Sequence, residues 1–266
     1  MSSFNKSYTD YWKERVDKLS DGTKIADADI AETFIDLLQI SKEDVLLDMG
    51  CSYGRFFPLL SKFSNRVIGI DIESNAIEKA AEFRYERLET AGLEKMPFEN
   101  ESIDKGFCWA TFDCTEQETV LLECHRILKN DGVILLTGKN DLYEMDDEVA
   151  FIAERNAKLK SFPNHFTDIN LLYKNAESFG FKVEAGFAFR YRGDFGLAKG
   201  IQMNEDVIKT PFYEYLLVLR KSNTPATVLP AICDVFSKTA KAKAGKENFT
   251  NIMEYFNHHR QITGIE

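Results

Sequence analysis

The sequence predicts an α/β fold built on a mostly parallel sheet with helices on both faces. Three observations predict it. Val45-Leu46-Leu47 is an unbroken apolar run of the kind that suits a strand buried on both faces. It leads directly into a turn containing Gly50 and Gly54, and Arg55 to Lys62 then reads as a helix. A second apolar run, Arg66 to Asp71, ends in an acid about 20 residues after the first glycine, the spacing of a nucleotide-binding strand-turn-helix-strand unit.

Composition narrows the class. A chain of 266 residues with 44% hydrophobic content suits one α/β domain with elaborations. The formal net charge of −10 argues against broad contact with nucleic-acid phosphates, so no nucleic-acid partner is expected. The five cysteines, Cys51, Cys108, Cys114, Cys124 and Cys233, form no C-x-x-C pair and read as free thiols of a reducing, cytoplasmic compartment. The first residues hold no apolar targeting core and no run approaches membrane-spanning length, so no membrane partner is expected.

Each element follows in order. Ser7 to Leu19 carries Tyr8, Tyr11, Trp12, Val16 and Leu19 at near-helical spacing. This suits either a helix packed on the sheet or a lid with Tyr11, Trp12 or Arg15 facing the site. Ala28 to Leu38 has a single apolar stripe and reads as a helix leading into the first strand. Residues 1–44 thus form an N-terminal helical lid before the core. Gly50 permits a tight turn and Gly54 a close helix–strand approach. Ser74 is a plausible N-cap for a helix over Ala76 to Arg87.

Asp104 to Ala110 reads as the fourth strand, Glu116 to Leu128 as a helix ended by Asn130-Asp131-Gly132, and Val133 to Thr137 as the fifth strand. Thr167 or Asp168 caps a helix that Gly180 stops. Phe181 to Phe189 and Pro211 to Arg220 read as the last two strands. The core spans 45–221, interrupted by insertions at about 138–176 and 190–210. Residues 222–266 form a C-terminal helical extension, which could add a lid, pack on the back of the sheet or join two subunits as a homodimer.

The glycine pattern is not that of a dinucleotide site. Asp48 stands two residues before Gly50, and a carboxylate there would repel a pyrophosphate but suit a cationic adenosine cofactor. The pattern Asp48-x-Gly50-Cys51-x-x-Gly54, with Ile70-Asp71 at the end of the second strand, resembles the S-adenosylmethionine-dependent methyltransferases of the Rossmann-like class. Leu93 to Asp104 and Glu123 to Thr137 resemble two further passages of that family, in the family's order.

The resemblance implies a seven-stranded, mostly parallel sheet with an antiparallel last strand. It implies S-adenosylmethionine as cofactor, with S-adenosylhomocysteine as product. Asp48, Gly50, Cys51 and Gly54 would hold the methionine end and approach the ribose, Asp71 would hold the ribose hydroxyls, and Ile72 would also contact the cofactor. Gly92-Leu93 would border adenine, although the acid usual at that pair is missing. Cys108 and Trp109, at the end of the fourth strand, are candidate cofactor walls, Trp109 alternatively a core aromatic. Tyr11 would cover the cofactor from the lid.

Methyl transfer from a sulfonium asks the protein mainly to orient reactants and exclude water, and in many cases to supply a base. Of the four histidines, His125, His258 and His259 suit structural or surface positions. His165, in the insertion after the fifth strand, is the candidate base or acceptor contact, and otherwise a loop residue. Arg190 and Arg192, on one face if the strand continues, would clamp a carboxylate or phosphate, or else mark a solvated strand end. Asp113 is a further polar candidate near the methyl group. No metal site is expected. The reading is methylation of a small molecule, on oxygen foremost, with an acidic, phosphorylated or sugar-type acceptor. Nitrogen methylation and a non-catalytic cofactor-binding sensor are the alternatives.

Overall fold

The computed structural model describes residues 28–263. The expected Ser7–Leu19 helix, with Tyr11, lies outside them. The described chain opens with helix α1 (Ala28–Ile35) and then alternates strand and helix: β1 (Val45–Met49), α2 (Phe57–Leu60), β2 (Arg66–Asp71), α3 (Ser74–Ala80), β3 (Arg87–Thr90), β4 (Ile103–Cys108), α4 (Gln117–Ile127) and β5 (Leu128–Lys139). It continues through α5 (Glu148–Leu159), β6 (Phe166–Thr167), α6 (Ile169–Lys174), β7 (Phe181–Phe189), β8 (Ile201–Gln202) and β9 (Glu214–Lys221). Strand β10 (Cys233–Asp234) and helices α7 (Lys238–Lys246) and α8 (Ile252–Thr263) form the C-terminal extension.

The main sheet has the order β3-β2-β1-β4-β5-β9-β7-β8. β3, β2, β1, β4 and β5 run parallel, and β9 enters antiparallel between β5 and β7. The sheet therefore has eight strands rather than the expected seven. The extra one is β8, formed where the 190–210 segment folds back on the open edge of β7 and pairs Phe187 with Gln202 and Ala188 with Ile201.

The strands obey the two-residue period of a sheet buried on both sides. In β1, Val45, Leu47 and Met49 enter one apolar cluster, while Leu46 enters the other. β4 and β5 divide likewise, Cys108, Ile134 and Leu136 on the first side and Phe107, Val133 and Leu135 on the second. Strand β5 starts earlier than the sequence predicts, at Leu128. The left-handed turn expected of Gly132 falls on Asp131, at φ 62°.

A third apolar cluster joins α5 to the extension, through Phe151 on the helix and Tyr255 and Phe256 on α8. Glu154 of α5, 1% exposed, accepts hydrogen bonds from the Tyr143 hydroxyl at 2.7 Å, the Ser237 amide at 2.8 Å and the Ser237 hydroxyl at 2.5 Å. β10 pairs antiparallel with β6. The extension thus packs on the insertion of its own chain, against the outer side of the helix that borders the cavity described below. No described helix is long and apolar enough to cross a membrane.

Candidate active site

The tips of β1 and β2 carry the first group of site residues. The amides of Gly50 and Cys51 both donate to the Ile70 carbonyl, at 2.8 and 2.9 Å, which folds the turn after β1 over the end of β2. Gly50 has φ 74°, and a Cβ there would lie 2.3 Å from Thr111 Oγ1. Glycine is required at position 50 on both counts: backbone and space. The Asp71 carboxylate accepts from the Ser52 amide through Oδ2 and from the Glu73 amide through Oδ1, both at 2.9 Å. It ties the glycine turn to the start of α3. Burial holds its pKa above the usual carboxylate range.

Asp48 is 1% exposed and accepts from the Tyr85 hydroxyl at 2.7 Å. Burial raises its pKa to about 7, against the opposing effects of the Tyr85 hydrogen bond and the Arg55 charge. Glu73 Oε2 is buried and meets no donor among the described residues. The buried carboxylates of Asp48 and Glu73, the latter with an unpartnered oxygen, and the half-buried Asp71 suit a ligand that brings positive charge and hydroxyl donors. S-adenosylmethionine brings both, so the residues present fit that cofactor.

The tip of β3 lies beside β2: the Ala91 amide donates to the Asp71 carbonyl at 3.0 Å. A Cβ on Gly92 would lie 3.8 Å from Ile72 Cδ1 and 2.9 Å from Glu94 Oε2. Gly92 and the half-exposed Ile72 are therefore neighbours, while Leu93 is buried in the main apolar cluster. The carboxylate that the sequence lacks at the Gly92-Leu93 pair stands one residue later, on Glu94.

The second group surrounds a cavity of about 470 Å³ off the carboxyl ends of β4 and β5 and the amino end of the antiparallel β9, the position of ligand sites in open α/β sheets. Its wall comes from the segment after β4 (Trp109, Ala110, Asp113, Cys114), the end of β5, the inner side of α5 and the start of β9. Trp109 is the core aromatic that the sequence allows, stacking on Phe107 at a 5.6 Å centroid distance, and it also lines this cavity. Cys108, fully buried, stands behind it rather than in the wall.

Deep in the cavity, Lys139 Nζ donates to Asp113 Oδ2 at 2.5 Å. Burial opposes the Lys139 charge, but Asp113 outweighs it and keeps the ammonium protonated well above neutrality. The Tyr213 hydroxyl, 1% exposed, accepts from Arg192 Nη1 at 2.8 Å.

The acceptor-side expectations divide. Arg192 and Asp113 line the cavity. Arg190 does not, and is exposed and paired with Glu144 at 2.7 Å. β7 ends at Phe189, and the Asp194 amide donates to the Tyr191 carbonyl in a turn, so strand alternation stops before the two arginines can share a face. His165 also lies outside the cavity wall, where its neighbour Asn164 stands. Its amide donates to the Asp113 carbonyl at 2.7 Å, and Nδ1 lies 2.6 Å from the Thr115 carbonyl oxygen. That hydrogen bonding makes it a brace for the Asp113 loop rather than a group facing the cavity. Lys139, Tyr213 and Tyr85 carried no signal in sequence, since each works through a partner distant along the chain.

A loop of acids at the tips of parallel strands, with a ligand-sized cavity next to it, suits an α/β protein that binds a nucleotide-type cofactor. Residues 47–136 match the family described as "Methyltransferase domain". An uncharacterized protein of Methanocaldococcus jannaschii, MJ1252, is 30% identical over 155 residues, 58% of this chain and 58% of that protein. Malonyl-[acyl-carrier protein] O-methyltransferase of Hamiltonella defensa is 30% identical over 106 residues, 38% of this chain and 41% of that protein. The match thus spans little more than half of the one curated relative and less than half of the other.

Among solved structures, a "SAM-dependent methyltransferase, possible histamine N-methyltransferase" from Thermotoga maritima superposes with a TM-score of 0.58 at 16% identity, covering 83% of this chain and all of that one. It shares the fold. Residues 47–136 are thus similar to a methyltransferase domain, set in a fold shared with the Thermotoga structure.

Proposed function

We propose that the whole chain is a small-molecule methyltransferase that takes its methyl group from S-adenosylmethionine and places it on oxygen, with an acidic, phosphorylated or sugar-type acceptor. One observation carries the reading. The segment 109–114 touches both places: Thr111 crowds Gly50 of the cofactor loop, while Trp109, Ala110 and Asp113 line the cavity. A methyl donor at the loop and an acceptor in the cavity would meet across that segment.

The bound cofactor would supply the electrophilic carbon. The protein's own contribution is then alignment and exclusion of water. Asp48 would offset the positive charge of the methionine end, and the Asp71 and Glu73 carboxylates would receive ribose hydroxyls. Ile72, Gly92 and Leu93 would border adenine. Trp109 and the aromatic residues near it would keep bulk water from the reacting atoms. The name of the Hamiltonella relative, an O-methyltransferase, supports oxygen as the methylated atom.

The test is release of S-adenosylhomocysteine across a panel of hydroxylated, carboxylated, phosphorylated and amine acceptors, with cofactor affinity measured separately by calorimetry. Turnover confined to amines would sink the oxygen assignment. Absence of cofactor binding would sink the whole reading.

A further inference from the structure

The cavity is asymmetric in charge. Asp113, Tyr213 and Tyr215, which form its inner wall, are all buried, and the Asp113–Lys139 pair is internally neutral. The exposed members of the wall include Lys160 and Arg192, so these two mark the mouth. Glu214 also lines the cavity and, with Asp147, acts electrostatically on Arg192, so the wall carries three cationic side chains (Lys139, Lys160 and Arg192) against two carboxylates (Asp113 and Glu214). The Arg192 guanidinium donates to the Tyr213 hydroxyl at 2.8 Å. Its backbone amide donates to Asp147 Oδ2 at 2.7 Å, which fixes where the side chain begins. Between mouth and floor the wall includes the aromatic faces of Trp109, Phe162 and Phe195.

We infer that the cavity takes a flat, apolar-bodied molecule bearing an oxyanion, with the oxyanion held at the mouth by Arg192 and Lys160 and the opposite end at Asp113. The inference deepens the proposed function and rests on it for the identity of the reaction. It adds a direction: the anion is the handle, and the methylated atom lies at the far end, at the strand tips. A guanidinium and an ammonium suit either a carboxylate or a phosphate. Three aromatic faces suit a ring. At the floor, the Asp113 carboxylate, held in place by Lys139, offers an acceptor for the proton of a hydroxyl or amine. A carboxyl group delivered to that floor would instead meet a carboxylate.

The experiment measures binding of benzoate, phenyl phosphate and benzamide by calorimetry and ligand-observed NMR, to the free protein and to the protein saturated with S-adenosylhomocysteine. Benzoate or phenyl phosphate should bind at least about tenfold more tightly than benzamide, the size of one charged hydrogen bond. The stronger of the two identifies carboxylate or phosphate as the handle. Arg192→Gln should remove the preference, Arg192→Lys should restore part of it, and Lys199→Gln, a surface charge outside the cavity, should leave it unchanged. Equal binding of all three probes, or binding of none, overturns the inference. So does a preference for the anions that survives in the Arg192→Gln, Lys160→Gln double variant. Binding of S-adenosylhomocysteine is read in the same titrations. Its failure would count against the methyltransferase reading, whereas loss of anion preference with that binding intact counts against the handle alone.

Discussion

The Tyr85 hydroxyl donates to Asp48 Oδ2 at 2.7 Å, and the carboxylate it meets is almost wholly buried. The tyrosine therefore steadies the ionised form of a group that burial drives toward neutrality, leaving Asp48 near pKa 7.

That balance gives a pH dependence with a definite sign. Unfolded aspartates titrate near pH ~3.9. Between about pH 4 and 7 the folded protein holds a proton on Asp48 that the unfolded chain has released, so the contribution of this group to stability falls as pH rises through that window. A cationic cofactor acts oppositely, favouring the carboxylate. Binding of S-adenosylmethionine should then release a proton below about pH 7 and tighten as pH rises from 5.5 to 8. Tyr85→Phe should move that midpoint upward. Calorimetry in two buffers of different ionisation enthalpy reads the proton directly, and a flat profile without proton release would exclude Asp48 from the cofactor site.

Gly50→Val should abolish cofactor binding while circular dichroism remains close to wild type. The new side chain collides with Thr111, and the left-handed backbone costs a further 1–2 kcal/mol or so. Adding Thr111→Gly relieves the collision only, so the double variant should recover little affinity. Normal binding by Gly50→Val would move the cofactor loop elsewhere.

Asp71→Ala removes the acceptor for two loop amides as well as the expected ribose contact. Cofactor affinity should drop by roughly 1–3 kcal/mol, the range for hydrogen bonds to a charged group. Thermal stability should fall too, because the Ser52 amide loses its partner. Unchanged affinity alongside a lowered melting temperature would make Asp71 purely a loop anchor.

His165→Ala should cost about 1–2 kcal/mol of stability through the lost bond to the Thr115 carbonyl. Turnover per folded molecule should be little changed. A large loss of kcat in a variant that still folds and still binds cofactor would return the base to His165.

Much of the cofactor half was legible in sequence because it is local. Val45 to Gly54 is one strand and one turn, and the Asp71 position follows from the length of the unit. The acceptor half was not, for physical reasons visible at single residues. Arg190 and Arg192 looked equivalent under strand alternation, but the chain turns after Phe189. His165 looked like the group best poised for proton transfer, yet its ring bonds a backbone carbonyl fifty residues away. Lys139 falls past the expected end of the fifth strand, Thr137, in a stretch assigned to the insertion. Only the fold reveals that it points at Asp113.

Ala110 sits at φ 52°, a left-handed conformation that an alanine adopts only under constraint, and it joins Trp109 to Thr111. Each ligand would press on one side of this hinge. A cofactor settling against Gly50 would set Thr111, and with it the pitch of Trp109 in the neighbouring wall. The two substrates should then add in sequence, donor before acceptor, so that initial-rate patterns are ordered rather than random and product inhibition by S-adenosylhomocysteine is competitive with the donor alone.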